Sequence, residues 1–268
     1  MELRNRVCVI TGAASGIGRA GALAFAAEGA KIVAADRDSA GVQKTVDEIT
    51  AAGGHAIAVT CNVAREGDII AMIASAEESF GPVDLVWSNA GIGIGGGVDT
   101  PDDQWQLIWD INLMAHVWAA RAVLPKMIER GEGYLVSTAS AAGLLSNIGT
   151  ASYTVTKHAA VALAEWLSIT HGDQGIRVSC LCPQGVRTNL LAGLSSAEGS
   201  SSTASVRASG SVLEPETVAQ CVIDAIRAEE FLILPHTEVL TYWQRKTADI
   251  DRWLAGMRRL QSKVRSAR

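Results

Sequence analysis

The chain has 268 residues, 48% of them hydrophobic and 19% charged, with a formal net charge of -5. That balance excludes a disordered chain and removes the electrostatic drive toward nucleic acid. It leaves room for one large α/β domain or two small ones, with enough length to bury a core. In chain order, the strand RVCVI (6–10) leads through ITGAASGIG into a helix from about Ser15 to Glu28, stopped at Gly29. KIVAA (31–35) precedes a helix over AGVQKTVDEITAAGG (40–54), again closed by glycine. AIAVTC (56–61) leads to EGDIIAMIASAEESFG (66–81), and VDLVWSN (83–89) to a long helical stretch near 102–130. GYLVSTA (133–139) precedes a helix over 152–171, and IRVSCLC (176–182) precedes a loop and a helix from about Pro215. FLILP (231–235) is the last strand, and an amphipathic helical extension (236–268) follows it.

The strands are continuous apolar runs, as expected where both faces of a sheet are covered. About seven such strands separated by helices predict one doubly wound, Rossmann-like parallel sheet with helices on both faces, without a second domain. The Ser/Ala/Gly-rich segment 192–211 follows the carboxyl end of a strand, where ligands bind in these sheets, and reads as a mobile substrate lid. The extension is expected to pack on its own subunit, with closure over a neighbour's site as the other option.

No apolar run reaches the roughly 18–20 residues that a membrane span needs, and the N-terminus lacks a signal-peptide core. A cytoplasmic protein with no membrane partner is the expectation. The five cysteines are odd in number and form no C-x-x-C pair, which predicts reduced, buried thiols. Cys180 and Cys182, two apart in a strand, point to one face. The histidines show no metal-ligand spacing, so no metal is assigned.

Glycines at 12, 16 and 18 lie between a strand and a helix start. Glycine permits positive φ and close approach to the backbone, and a helix start offers unpaired N–H groups and a positive dipole end. Together they make a site for a phosphate group. Asp36, about twenty residues later at the end of the second strand, is placed to accept hydrogen bonds from an adenosine ribose. Its carboxylate repels a 2′-phosphate and favours NAD, whereas the neighbouring Arg37 can pair with that phosphate. NADP therefore stays as the alternative.

At these residues the chain resembles the short-chain dehydrogenase/reductase family. TGAASGIG matches its T-G-x-x-x-G-x-G loop, which brings Ser15 and Ile17 to the cofactor beside Gly12, Gly16 and Gly18. CNV (61–63) is similar to the segment that touches adenine, so Asn62 and Val63 carry over, with Asn62 where the family usually has Asp. SNAG resembles its N-N-A-G motif, which implies Asn89, Ala90 and Gly91 along the cofactor, with Ser88 a departure. PQGVRT resembles P-G-x-V-x-T, which implies Pro183, Gly185, Val186 and Thr188, with Gln184 replacing the first glycine.

Tyr153 and Lys157 are four apart at the start of a helix, hence on one face. With Ser140 thirteen residues earlier and Asn112 in DINLMAH, they match the family's S…Y-x-x-x-K arrangement and its fourth member. The resemblance implies that Tyr153 is the general acid/base and that Ser140 holds the substrate oxygen. It also implies that Lys157 tunes Tyr153 and binds ribose, while Asn112 holds a water linking Lys157 to solvent. A nearby ammonium lowers a phenol's pKa, which is the expected effect of Lys157 on Tyr153. His158 points about 100° away from Lys157 on the helix and reads as structural.

The substrate pocket is expected near Ile94, Leu144, Leu145, Ile148, Leu190 and Leu191, apolar positions that suit a secondary alcohol or ketone with a hydrophobic body. The tryptophans at 105, 109, 118 and 166 fall on the helices that pair subunits in the family, which implies a homo-oligomeric dimer or tetramer. Two alternatives to an NAD-linked dehydrogenase remain: an NADPH-dependent carbonyl reductase and a non-catalytic NAD-binding scaffold.

Overall fold

In this computed structural model, which describes residues 1–191 and 211–266, each apolar run becomes a strand, and the inner strands bury side chains to both sides while the edge strand over 55–60 is only partly covered. Val7 and Val9 of β1 (Val7–Thr11) enter one core, while Cys8 and Ile10 enter the other. β2 (Lys31–Asp36) repeats the division with Val33 and Ala35 against Ile32 and Ala34. The side-chain period of two therefore fills two hydrophobic layers from one strand.

The remaining strands are β3 (His55–Thr60), β4 (Leu85–Ser88), β5 (Gly133–Thr138), β6 (Ile176–Leu181) and β7 (Leu232–Ile233). All pairings are parallel, in the order β3-β2-β1-β4-β5-β6-β7. The order reverses between β1 and β4, which opens a crevice at the carboxyl ends of the strands.

Helices α1 (Gly16–Ala27) and α2 (Ser39–Ala51) cover one face of the sheet, and α3 (Glu66–Phe80) covers the other. Trp87 of β4 is fully buried and stacks on Phe25 of α1, with centroids 5.4 Å apart. Gly21 faces that indole closely enough that a Cβ there would lie 2.3 Å from it.

The helical stretch near 102–130 is divided. α4 (Asp102–Trp109) and α5 (Ala115–Arg130) are separated by a π turn over Asp110–Met114. The wider turn carries Asn112, fully buried, and single-turn π segments of this kind cluster at functional sites. A short helix α6 (Ala142–Leu145) follows β5 and precedes α7 (Ala151–His171). Its four residues are too few to show a helical period in the sequence.

Helix α8 (Pro215–Ala228) begins on proline, whose missing N–H is harmless at a first helical position. The C-terminal extension forms two helices, α9 (Glu238–Ala248) and α10 (Ile250–Ser266), where one was expected. Asp249 breaks them with extended geometry, and its Oδ1 accepts from the Arg252 N–H at 3.0 Å. Of the segment read as a lid, 192–210 lies outside the described residues.

Candidate active site

A cleft of about 860 Å³ opens at the carboxyl ends of the strands. At one end its wall is Gly12, Ser15, Gly16 and Ile17 after β1, with Asp36, Arg37 and Asp38 after β2 and Asn62 and Val63 after β3. Gly12 has φ +72° and Gly16 φ +55°, conformations that side chains other than glycine's resist. Gly18 lies behind this wall, where a Cβ would come 2.3 Å from the Gly12 carbonyl oxygen. Ser15 makes no capping hydrogen bond, which leaves the first N–H groups of α1 open toward the cleft.

The Asp36 carboxylate holds this end together: Oδ2 accepts from the Ala14 N–H at 3.1 Å and Oδ1 from the Asp38 N–H at 3.0 Å. Asn62 Oδ1 accepts from the Ala64 N–H. Across the cleft, the Thr188 methyl lies 3.0 Å from where a Gly16 Cβ would be, so the loop after β6 closes onto the glycine turn.

A ladder of polar side chains ties the middle strands together. Thr11 Oγ1 accepts from the N–H groups of Asn89 and Ala90 at 2.9 and 3.0 Å. Asn89 Nδ2 donates to the Thr11 carbonyl, and Asn89 Oδ1 accepts from Thr138 Oγ1. The Trp87 indole N–H donates to Thr138 Oγ1 at 2.8 Å, and Lys157 Nζ donates to the Thr138 carbonyl at 2.8 Å. The lysine's position is thus fixed by the sheet itself.

Ser140, Tyr153 and Lys157 meet at the other end of the cleft, which they line with Ala90, Gly91, Pro183 and Val186. Lys157 Nζ lies 5.7 Å from the Tyr153 ring centroid. Burial raises the Tyr153 pKa above that of a free phenol, and the Ser140 hydrogen bond partly offsets this. The lowering expected from Lys157 is therefore outweighed by burial. Burial pulls the Lys157 ammonium down to about 8. Beneath it, His116 is buried with Nδ1 at 3.2 Å from Ser137 Oγ. Desolvation and the lysine charge push His116 down to about 3, so the ring is neutral at physiological pH.

Asn112 is engaged by the backbone. Its Oδ1 accepts from the Ile92 N–H at 2.9 Å, and its Nδ2 donates to the Ile92 carbonyl at 2.9 Å and to Thr156 Oγ1 at 3.3 Å. Only one Oδ1 lone pair is left for a water. His158 Nδ1 lies 2.9 Å from the Thr154 carbonyl on its own helix, away from the cleft.

Of the apolar positions expected around a substrate, Leu145, Leu190 and Leu191 line the cleft, and Ile94, Leu144 and Ile148 do not. Leu144 packs in the core, about 100° round the helix from Leu145. Ile94 and Ile148 sit on two loops bound to each other, through Gly96 N–H to the Gly149 carbonyl and Ala151 N–H to the Gly96 carbonyl. Gly185 is also outside the lining; its carbonyl meets His236. The C-terminal helices supply wall that the sequence did not indicate: Tyr242 and Arg245 from α9, and Trp253, Met257 and Leu260 from α10. Lys246 Nζ donates to the Leu144 carbonyl at 2.6 Å and pins α9 to α6.

The profile of the short chain dehydrogenase family matches residues 6–199. The chain belongs to the short-chain dehydrogenase family. It is 34% identical over 242 residues to a 1-deoxy-11-beta-hydroxypentalenate dehydrogenase of Streptomyces exfoliatus, covering 89% of this chain and 86% of that protein. It is 34% identical over 224 residues to a cyclohexanol dehydrogenase of an Acinetobacter strain, covering 82% of this chain and 87% of that protein. A short-chain dehydrogenase/reductase of Burkholderia phymatum, solved in complex with NAD, superposes with a TM-score of 0.85 at 33% identity, over 94% of this chain and 96% of that one. Among the described residues, no helix is long and apolar enough to cross a membrane, and no cluster of His, Cys, Asp and Glu could hold a metal ion.

Within this short-chain dehydrogenase, Thr11, Thr138 and His236 are structural supports that sequence reasoning passed over. His236 is buried; its Nδ1 accepts from the Gln184 N–H at 3.2 Å, and Nε2 lies 3.1 Å from the Gly185 and Ser211 carbonyls. It anchors the loop in which glutamine replaces the family's first glycine. Threonines at the carboxyl ends of β1 and β5, the strands on either side of β4, were the one available signal.

Proposed function

We propose that this chain is an NAD-linked dehydrogenase of secondary alcohols with a hydrophobic body. The observation that carries the reading is the convergence of Ser140, Tyr153 and Lys157 on one cleft with the glycine turn and Asp36 at its other end. The open N–H groups of α1 suit a pyrophosphate, and the Asp36 carboxylate retains lone pairs for ribose hydroxyls. The residues present therefore fit a nicotinamide dinucleotide. Asp36, Arg37, Asn62 and Val63 would hold its adenosine, residues 12–18 its phosphates, and Asn89, Ala90, Gly91, Lys157, Pro183, Val186 and Thr188 its nicotinamide half.

When bound, the nicotinamide supplies the hydride acceptor for oxidation and the donor for reduction. Loss of hydride from a carbinol carbon leaves positive charge unless the hydroxyl proton departs as well. Tyr153 Oη takes that proton in oxidation and returns it in carbonyl reduction. Ser140 donates a hydrogen bond to the substrate oxygen. Lys157, held on the Thr138 carbonyl, supplies positive charge that favours the phenolate against the effect of burial. Asn112 braces the floor of the site through Ile92.

The substrate end is walled by Leu145, Leu190, Leu191, Trp253, Met257 and Leu260, and this favours an alicyclic or hydrophobic alcohol. The names of the Streptomyces and Acinetobacter relatives, both dehydrogenases of ring alcohols, agree with that. Turnover of a panel of ring and open-chain secondary alcohols with NAD⁺, and of their ketones with NADH, tests the reading. Absence of turnover across the panel with either nicotinamide cofactor would leave the non-catalytic scaffold in its place.

A further inference from the structure

The charged side chains lining the cleft are unevenly placed. Among the described residues, Asp36, Arg37 and Asp38 stand at the adenosine end and Lys157 on the floor. Among the described residues, Arg245 is the charged lining residue of the C-terminal wall, and no acidic side chain lines that wall. It projects from α9 beside Tyr242, three residues earlier and therefore on the same helix face. Helix α9 packs on α6, just beyond Ser140, and the Lys246 bond to the Leu144 carbonyl fixes that contact. No hydrogen bond or ion pair joins the Arg245 side chain to another described residue. Arg245 is exposed to solvent at the cleft wall, and its unpaired guanidinium is a fork that matches a carboxylate with two parallel N–H donors.

We infer that the substrate is a hydroxy acid, with its carbinol at Tyr153, its hydrocarbon body against the apolar wall, and its carboxylate on Arg245. This rests on the dehydrogenase reading above and adds the charged end of the substrate to it. A phosphate monoester carries up to two charges and calls for a second cation, and the adjacent Lys246 is occupied by the Leu144 carbonyl. The position of α9, next to α6 rather than α1, sets Arg245 apart from the N–H groups that suit the cofactor's phosphates.

Two acid and ester pairs of different reach test this: 4-hydroxycyclohexanecarboxylate and lithocholate, each against its methyl ester, with NAD⁺. The natural protein should prefer at least one acid over its ester by about 10-fold or more in kcat/KM. In Arg245→Gln that ratio should collapse toward one through a higher KM for the acid, while Arg245→Lys keeps part of it. Lys263→Gln, a charge change of the same size on the exposed face of α10, should preserve the ratio. Calorimetry of cyclohexanecarboxylate against cyclohexanecarboxamide on the NADH-loaded protein reads the same preference without turnover.

Esters and neutral alcohols turned over with no acid preference, or the preference unchanged in Arg245→Gln, would overturn this inference and leave the dehydrogenase reading standing. A raised KM for NAD⁺ in Arg245→Gln with the acid preference intact would assign the arginine to the cofactor's phosphates instead. Absence of turnover of every alcohol would overturn the dehydrogenase reading itself. In that case equal calorimetric binding of acid and amide would also remove the carboxylate site.

Discussion

At the scale of single residues, the chemistry was legible where short spacing encodes it and obscure where it depends on distant partners. Tyr153 and Lys157 share a helix face whatever the rest of the chain does. What fixes the lysine, however, is the Thr138 carbonyl, and no local pattern announces that bond. Asp36 was legible by its place at a strand end, but its grip on the Ala14 and Asp38 N–H groups was not. This double duty shapes the cofactor prediction. NAD should be preferred over NADP by roughly 10- to 10³-fold in kcat/KM. Asp36→Asn removes the charge yet keeps one acceptor oxygen, and should shift that ratio toward NADP in steady-state kinetics with both cofactors. A natural protein that already prefers NADP would mean that Arg37 outweighs Asp36.

His116 gives a second residue-scale prediction. Its folded pKa of about 3 lies below the ordinary histidine value of 6.5, so the unfolded chain binds more protons than the folded one between those limits. Stability should therefore fall as pH drops below about 6.5, by up to about 1.4 kcal/mol per pH unit from this group. Urea unfolding across that range should show a shallower acid slope in His116→Gln, which cannot take up that proton. An identical slope would place the acid sensitivity in other groups.

Among the elements, the strands were legible because burial on both faces makes them continuous apolar runs. The π turn was not, because the apolar period of 102–130 runs through it and the deciding contact, Asn112 on Ile92, comes from another segment. The break at Asp249 was equally hidden, since one residue interrupts an otherwise helical pattern. Helix α1 shows how tightly the elements fit: with a Cβ 2.3 Å from Trp87, Gly21→Ala forces helix and sheet apart. It should cost about 1–3 kcal/mol, read as a lowered urea midpoint with an unchanged slope. A midpoint equal to that of the natural protein would show that the Trp87 ring can yield.

For the whole molecule, one doubly wound parallel sheet with helices on both faces was predictable, while the C-terminal wall of the cleft was not. An amphipathic extension tells which face is apolar but not what that face meets, and here Trp253, Met257 and Leu260 turn toward the chain's own cleft. Another apolar face stays open. Val155, Trp166 and Ile169 form one stripe along α7, with Ile169 83% exposed, and Leu107 and Trp109 stand on the neighbouring α4. This is the face we propose for pairing with a second copy, as the family resemblance implies. The double variant Trp166→Glu, Ile169→Asp should run as a smaller species than the natural protein in analytical ultracentrifugation; equal masses would move the interface elsewhere.

The central claim is that Tyr153 carries the proton in an NAD-linked alcohol oxidation, and one measurement reaches it directly. The near-ultraviolet absorbance of NADH is followed after mixing the protein, NAD⁺ and a ring alcohol such as cyclohexanol, with the natural chain and with Tyr153→Phe. The account predicts NADH formation that rises with pH as the phenol ionises. In the variant turnover should fall by roughly 10²- to 10⁴-fold, with NADH binding nearly unchanged. A Tyr153→Phe protein that oxidises the alcohol at close to the natural rate would contradict it.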